Sequence, residues 1–162
     1  PIHKLKQVLD LNCRIGSWVI DLALSYPGII VTGLDNRPHY VAMARRNAAV
    51  GNLSRARFYE ADLIKPLQFA DETFDLLRLS MSSVLFRPDE WPAFLQECKR
   101  IMKPGTSIHL LNVSAGPGSS EAFQRIVLLI DKRGFERIGF AADQLTPEGL
   151  VHDIRALERA PA

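Results

Sequence analysis

Short β-branched runs alternate with amphipathic stretches through the first two thirds of the chain, and this alternation narrows the choice of fold more than any other feature. The predicted strands are residues 6–11, 29–35, 55–62, 74–80 and 106–113, with two more near 135–141 and 151–159. The predicted helices are residues 16–26, 37–52, 90–102 and 119–133. Regular strand–helix–strand units form right-handed crossovers, so we expect a mainly parallel sheet with helices on both faces.

The final two predicted strands have no clear helix between them, so we expect them to form an antiparallel hairpin at one edge. The predicted fold is therefore an α/β, doubly wound, seven-stranded and mainly parallel sheet with that edge hairpin. A length of 162 residues suits a single domain spanning residues 1–162. Because the chain begins at Pro1 and reaches its first strand within a few residues, we expect that further residues precede it.

Composition sets limits on partners. A formal net charge of +2 gives no broad attraction for polyanions, so we expect no nucleic acid partner, and the neighbouring arginines 45, 46, 55 and 57 are interpreted as a solvated rim. No apolar run approaches the roughly 20 residues of a membrane helix, so no membrane association is expected. A homo-oligomer is compatible with the sequence.

The cysteines and histidines indicate neither disulfides nor metal. Cys13 and Cys98 occur without a secretory signal, which predicts reduced thiols and a cytoplasmic protein. The four histidines show no ligand spacing with one another or with the cysteines, so no metal site is predicted.

Polar residues follow the first three predicted strands at the edge where ligands bind in parallel sheets. Gly16 opens the first helix, where backbone amides and the helix dipole favour an anionic group. Asp35 ends the second strand and can accept hydrogen bonds from ribose hydroxyls, although capping of the second helix is an equally simple role for it. Asp62 follows the third strand and can accept a hydrogen bond from an exocyclic amine. Together these residues predict a nucleoside site.

The order of these motifs resembles the class I S-adenosylmethionine-dependent methyltransferases over nearly the whole length of the chain. The acidic residue and spaced glycines of that family correspond here to Asp10, Asn12, Arg14 and Gly16, with Cys13 where cysteine often occurs. Asp35-Asn36, Ala61-Asp62-Leu63, the segment ETFDLL and the segment RIMKPGTSIHL correspond to later family motifs. The resemblance implies a Rossmann-like methyltransferase fold.

The resemblance also implies a cofactor, S-adenosylmethionine, with S-adenosylhomocysteine as the product. The residues that it assigns to the cofactor are Asp10, Asn12, Cys13, Arg14, Gly16, Asp35, Asn36, Ala61, Asp62, Leu63 and Ser80. Among them, Asp10 is expected to accept hydrogen bonds from the loop amides without contacting the cofactor. For Cys13 the sequence shows no neighbouring base that would make it a nucleophile.

Two departures from the family pattern lie in the glycine loop. Asn12 replaces one glycine, and asparagine tolerates left-handed geometry better than most residues. Arg14 replaces the central glycine, and its side chain must turn to solvent, fill the crevice or pair with the carboxylate of the ligand. The sequence leaves these three alternatives open.

The predicted function is methyl transfer to a small-molecule acceptor by in-line displacement, a reaction in which a protein mainly orients the reactants. The loop after the fourth strand offers serines, Ser80 among them, but no histidine, tyrosine or acid before Asp89, so no catalytic base is assigned. The amino-acid sequence of that loop also resembles the branch of the family that methylates small molecules. The alternative is a non-catalytic, methyltransferase-like interaction or regulatory module with weakened or lost cofactor binding. A nicotinamide-dependent dehydrogenase is disfavoured because its glycine spacing is absent.

Overall fold

The structure, a computed structural model, describes residues 4–80, 86–87, 89–114, 122–130 and 136–138. Its elements are β1 (Gln7–Leu11), α1 (Ser17–Ser25), β2 (Ile30–Asp35), α2 (Pro38–Val50), β3 (Ala56–Glu60), β4 (Phe74–Ser80), α3 (Trp91–Ile101), β5 (Met102–Ser114), β6 (Ala122–Ile130) and β7 (Glu136–Ile138). The first eight predicted elements, down to the fifth strand, are all present with small shifts at their ends.

Five parallel strands form the body of the sheet, in the order β3-β2-β1-β4-β5. The strand β1 pairs with β2 on one side and with β4 on the other, both in parallel register. The chain therefore winds outward first to one side of β1 and then to the other, so the strand order reverses between β1 and β4. Ligands of open α/β sheets bind at such a reversal, beyond the carboxyl ends of the strands.

Helices cover both faces of the sheet, which confirms the predicted α/β doubly wound architecture. On one face α1 and α2 bury Val19, Ala23, Val41 and two further alanines against Val8 and other residues of the sheet. On the other face α3 buries Phe94, Cys98 and Ile101 against alternate positions of β1 and β4. Successive residues of a strand point to opposite faces, so β1 contributes Val8 to one core and Leu9 to the other.

The helix predicted at 119–133 is wrong. Residues 122–130 form the strand β6, which pairs antiparallel with β5 from Ser107↔Leu129 to Ser114↔Ala122. The stretch AFQRIVLLI carries β-branched and aromatic residues, and an apolar run this short cannot be assigned to helix or strand by periodicity alone. Pairing with the long neighbouring strand β5 favours the extended form.

The predicted edge hairpin of residues 135–141 and 151–159 is not found in that form. The strand β7 covers only Glu136–Ile138. It pairs antiparallel with β6, the strand that occupies the place of the predicted helix. Residues 151–159 lie outside the described part of the chain. Among the described residues, no helix combines the length and the apolar character required to cross a membrane.

Candidate cofactor site

The sequence-predicted site residues come together at one edge of the sheet, where β1, β2, β3 and β4 end. Asp10 lies in β1, Asp35 is the last residue of β2, Ser80 is the last residue of β4, and Asp62 follows β3. The loop of residues 12–16 joins β1 to α1 across the point where the strand order reverses. Parallel pairing alone produces this convergence, because the carboxyl ends of parallel strands share an edge.

The loop keeps a left-handed backbone at each of the positions where the related family has glycine. The φ angles are 61° at Asn12, 53° at Arg14 and 79° at Gly16. A left-handed conformation costs a residue with a Cβ roughly 1–2 kcal/mol, and less for asparagine. The backbone is therefore left-handed at all three positions, although only one of them is glycine.

Packing as well as the left-handed φ angle requires glycine at position 16. A Cβ added here would lie 2.5 Å from Phe58 Cε1 and 2.9 Å from Ala44 Cβ. Gly16 is also the N-cap residue of α1, and the helix begins without a side-chain cap. Its first amides are therefore the kind of positively polarised group that binds an anion.

Arg14 turns outward. Its side chain is exposed, and its guanidinium carbon lies 5.8 Å from the centroid of the Tyr40 ring. The arginine therefore does not fill the crevice beneath the loop. Cys13 instead points inward, where it is buried, and burial strongly raises the pKa of its thiol. A thiol that stays protonated is a packing group rather than a nucleophile.

Asp35 is a fully buried carboxylate, 0% exposed, and protein donors surround it. Its Oδ1 accepts hydrogen bonds from Arg37 N at 3.0 Å and Arg37 Nε at 2.9 Å. Its Oδ2 accepts hydrogen bonds from Arg14 N at 2.8 Å and Arg37 Nη2 at 3.1 Å. Two donors per oxygen match the about four acceptor sites of a carboxylate. The side chain of Arg37 thus grips Asp35 through a fork of two nitrogens.

Asn12 connects this ion pair to β4. Its Oδ1 accepts a hydrogen bond from Arg37 Nη2 at 2.7 Å, and its Nδ2 donates to the Ser80 carbonyl oxygen at 3.0 Å. The Ser80 hydroxyl donates in return to the Asn12 carbonyl oxygen at 3.2 Å. A glycine at position 12 has no side chain to make the first two bonds, so asparagine gives this loop cross-links that the family pattern lacks.

Asp10 lies deeper, in an ion pair with a residue of β4. Arg78 Nη1 donates to Asp10 Oδ1 at 2.7 Å, and the same guanidinium lies over the Trp18 ring at 4.7 Å from its centroid. Burial raises the pKa of Asp10 from 3.8 to about 6, and the Arg78 guanidinium opposes that rise. Among the described contacts, Arg78 rather than a loop amide is the donor to this carboxylate, which corrects the role predicted for Asp10.

The segment after β3 completes the edge. The Asp62 side chain is 40% exposed and bonds locally, accepting from Ile64 N at 3.2 Å and pairing with Lys65 Nζ at 3.2 Å. Ala61 N donates to the Asp35 carbonyl oxygen, and Leu63 is buried in the core under α3. Asn36 is exposed beside them. Asp62 is therefore more exposed than Asp10 and Asp35, which are both buried.

The sequence prediction missed two residues, Arg37 and Arg78. Arg37 stands two positions after Asp35, close enough for a local ion pair, and this spacing was a usable signal. Arg78 is a charge inside the otherwise apolar segment LLRLS, and a charge in a buried strand requires a partner. That signal indicates that a partner exists but does not say which residue it is.

Comparison with known families identifies the chain. A family model described as "Methyltransferase domain" matches residues 8–105, more than half of the chain, from β1 to the first residues of β5. The chain belongs to this family. It is a class I S-adenosylmethionine-dependent methyltransferase domain, and S-adenosylmethionine is the cofactor of the family, as the resemblance predicted.

Solved structures show the same fold in related proteins. An O-methyltransferase from a trans-AT PKS multienzyme of Brevibacillus brevis, in complex with S-adenosyl-L-homocysteine, superimposes with a TM-score of 0.63 at 23% identity. The match covers 69% of this chain and 37% of that one. At this identity the likeness concerns the fold of the methyltransferase domain alone.

Curated relatives act on different kinds of acceptor. A demethylmenaquinone methyltransferase from Thermus thermophilus is 29% identical over 90% of this chain and 66% of its own length. A 23S rRNA (uracil(1939)-C(5))-methyltransferase from Pseudomonas fluorescens is 33% identical over 70% of this chain. This chain spans 24% of the length of that rRNA enzyme. The expectation of no nucleic acid partner is wrong as a general exclusion, because relatives of this domain methylate ribosomal RNA.

Within the described part of the chain, no group of three or more His, Cys, Asp or Glu side chains is arranged to hold a metal ion. The acidic residues at the strand ends instead pair with arginines and a lysine. The chemistry of this edge is therefore that of ion pairs and backbone amides.

We predict that Gly16→Ala lowers the free energy of unfolding by about 2–4 kcal/mol, because it adds left-handed strain and pushes the Phe58 ring aside. Urea denaturation measures the change. Gly28→Ala is the matched control, because no atom lies within 4 Å of a Cβ at that position. It should change stability by less than about 0.5 kcal/mol. Equal effects of the two substitutions would contradict the packing role of Gly16.

A second prediction concerns Asp10 and pH. Because its pKa in the folded protein, about 6, lies above its ordinary value of 3.8, the native state holds more protons than the unfolded state between about pH 4 and 6. The contribution of Asp10 to stability therefore falls as pH rises through this window, by roughly 2–3 kcal/mol in all.

The measurement is the free energy of unfolding of the unmodified protein minus that of Asp10→Asn at several pH values, which removes the contributions of the other carboxylates. This difference should fall from about pH 4 to pH 6. Asp21→Asn, on the exposed side of α1, controls for the loss of one negative charge. A difference that rises with pH would show that pairing with Arg78 outweighs burial.

Proposed function

We propose that this domain transfers the methyl group of S-adenosylmethionine to a small-molecule acceptor, with the cofactor bound at the carboxyl ends of β1, β2 and β3. The observation that carries the proposal is the left-handed backbone of the loop at residues 12–16, next to a buried carboxylate at the end of β2. The three left-handed positions keep the loop close to Asp35 even though two of them are no longer glycine.

The residues present fit the cofactor, with one rearrangement. The N-terminal amides of α1 and the loop suit the amino acid part of the cofactor, since its carboxylate is an anion. Asp35 suits the ribose hydroxyls, and Asp62, which is partly exposed, suits the exocyclic amine of adenine. Arg37 already uses acceptor sites of Asp35, so its side chain must move for the ribose hydroxyls to bond there.

S-adenosylmethionine held by the amides of α1, Asp35 and Asp62 would supply an electrophilic methyl group on a sulfonium: the acceptor would bond to the methyl carbon as the carbon–sulfur bond breaks, which releases S-adenosylhomocysteine. The protein then has to orient the two reactants and keep water away from them. Asn12 and Ser80 serve orientation, because their reciprocal hydrogen bonds fix the loop of β1 against the end of β4. We assign no catalytic base among the described residues.

The Thermus relative supports a small-molecule acceptor, because the match to it covers most of this chain and about two thirds of that enzyme. The rRNA methyltransferases support a second candidate function, transfer to an RNA base. The two candidate functions share the cofactor site and differ in the methyl acceptor that binds next to it.

Cofactor binding is tested by calorimetry and thermal unfolding with S-adenosylhomocysteine. A ligand at 100 times its dissociation constant stabilises the native state by about 2.7 kcal/mol, so the melting temperature should rise by several degrees. Asp35→Asn, which keeps the size of the side chain, should weaken binding at least about tenfold. Asp21→Asn removes an exposed carboxylate and should leave binding unchanged. Absence of binding by the unmodified protein would favour the non-catalytic module.

The acceptor class is tested with methyl-labelled S-adenosylmethionine and two substrates, a demethylated quinol and total ribosomal RNA lacking modifications. Label in the organic extract of the quinol reaction is the expected result. Label in the RNA would establish the second candidate and exclude the first. Asp35→Asn is the control in both reactions, since label transferred by this domain must fall with cofactor binding.

A further inference from the structure

The acid that should receive the ribose is already saturated by the protein. Among the described residues, four hydrogen bonds reach the Asp35 carboxylate; they come from Arg14 and Arg37, and two of them come from the Arg37 side chain. A carboxylate offers about four acceptor sites, so ribose hydroxyls can bond to Asp35 only where a protein donor has left.

The two backbone donors are fixed by the fold. Arg14 N belongs to the left-handed loop, and Arg37 N precedes α2, so neither can leave without a rearrangement of the backbone. The Arg37 side chain is 38% exposed, while Asp35 is fully buried. The guanidinium can therefore turn into solvent, and it is the donor that a ligand can replace.

Two further contacts hold the guanidinium in place. Arg37 Nη2 donates to Asn12 Oδ1 at 2.7 Å, and the guanidinium carbon lies 4.3 Å from the centroid of the Tyr40 ring. The ring provides a cation–π surface on which the guanidinium is stable. Three groups from three elements thus converge on one side chain: Asp35 from β2, Asn12 from the loop after β1, and Tyr40 from α2.

We infer that Arg37 is a lock on the cofactor site, which occupies Asp35 in the free domain and must be displaced by the ribose diol. This inference rests on the proposed function. The apparent affinity of a ligand falls by the fraction of molecules that are competent to bind it, so the lock weakens the binding of every ligand that needs Asp35. Arg37 thereby sets the cofactor concentration at which the methyltransferase is loaded.

The test compares binding of S-adenosylhomocysteine to the unmodified protein, Arg37→Met and Arg37→Lys by calorimetry. S-adenosylhomocysteine is used because it lacks the sulfonium charge, so a change in net charge has less effect. Arg37→Met should bind about tenfold more tightly, which corresponds to 1.4 kcal/mol. Arg37→Lys keeps the charge without the two-nitrogen fork, and it should lie between the other two proteins.

Arg46→Met is the matched control, because it removes one exposed arginine from the same helix and should leave the affinity unchanged. A second comparison uses adenosine and 2′,3′-dideoxyadenosine with each variant. The gain in Arg37→Met should appear with adenosine and be absent with the dideoxy compound, because only the diol competes for Asp35.

Weaker or unchanged binding of S-adenosylhomocysteine by both Arg37 variants would overturn the lock and would show that Arg37 assists the ligand or stays in place. That result leaves the proposed function intact, since the unmodified protein still binds. Failure of the unmodified protein and of all variants to bind any adenosyl compound would overturn both proposals together.

Discussion

The carboxylate of Asp35 is buried away from water, so the groups around it have to supply its hydrogen bonds. An ionised group removed from water costs several kcal/mol unless donors replace the lost hydration. Here the replacement comes from an amide of the loop after β1 and from the amide and guanidinium of Arg37. The ends of β1 and β2 and the start of α2 are therefore bound to one another through a single side chain. Loss of that side chain would affect all three elements at once.

The same carboxylate explains how the glycine loop survives without two of its glycines. Arg14 adopts a left-handed conformation that is unfavourable for a residue with a Cβ, and its amide is held by Asp35 at 2.8 Å. Cys13 N donates to the Leu34 carbonyl oxygen at 2.8 Å, so two consecutive amides of the loop are anchored to β2. Tertiary hydrogen bonds thus compensate for the intrinsic preference of the residue. At two positions where the resemblance predicts glycine, this domain has long-range contacts that hold the loop.

Much of the fold could be predicted from the sequence, because hydrophobic periodicity and turn residues act locally. Pro38 and Gly51 mark both ends of α2, and Phe74 and Ser80 bound β4 as predicted. The strand β6 could not be predicted in this way, since a run such as AFQRIVLLI suits either a buried helix or a strand. What decides between them is the partner, and β6 pairs with the eight residues from Ser107 to Ser114 of β5. That partner is specified by topology and not by local pattern.

The sequence by itself determined the order of strands and helices and, with it, the edge of the sheet where Gly16, Asp35 and Asp62 meet. Parallel strands must end at a common edge, so chain order is sufficient for that conclusion. Only the tertiary structure decided which donors these acids receive. Asp10 pairs with Arg78, which is 68 residues away, and Asp35 is shared between Arg14 and Arg37. A buried charge takes the donors that the folded chain brings within reach, and that choice depends on geometry that a linear pattern does not contain.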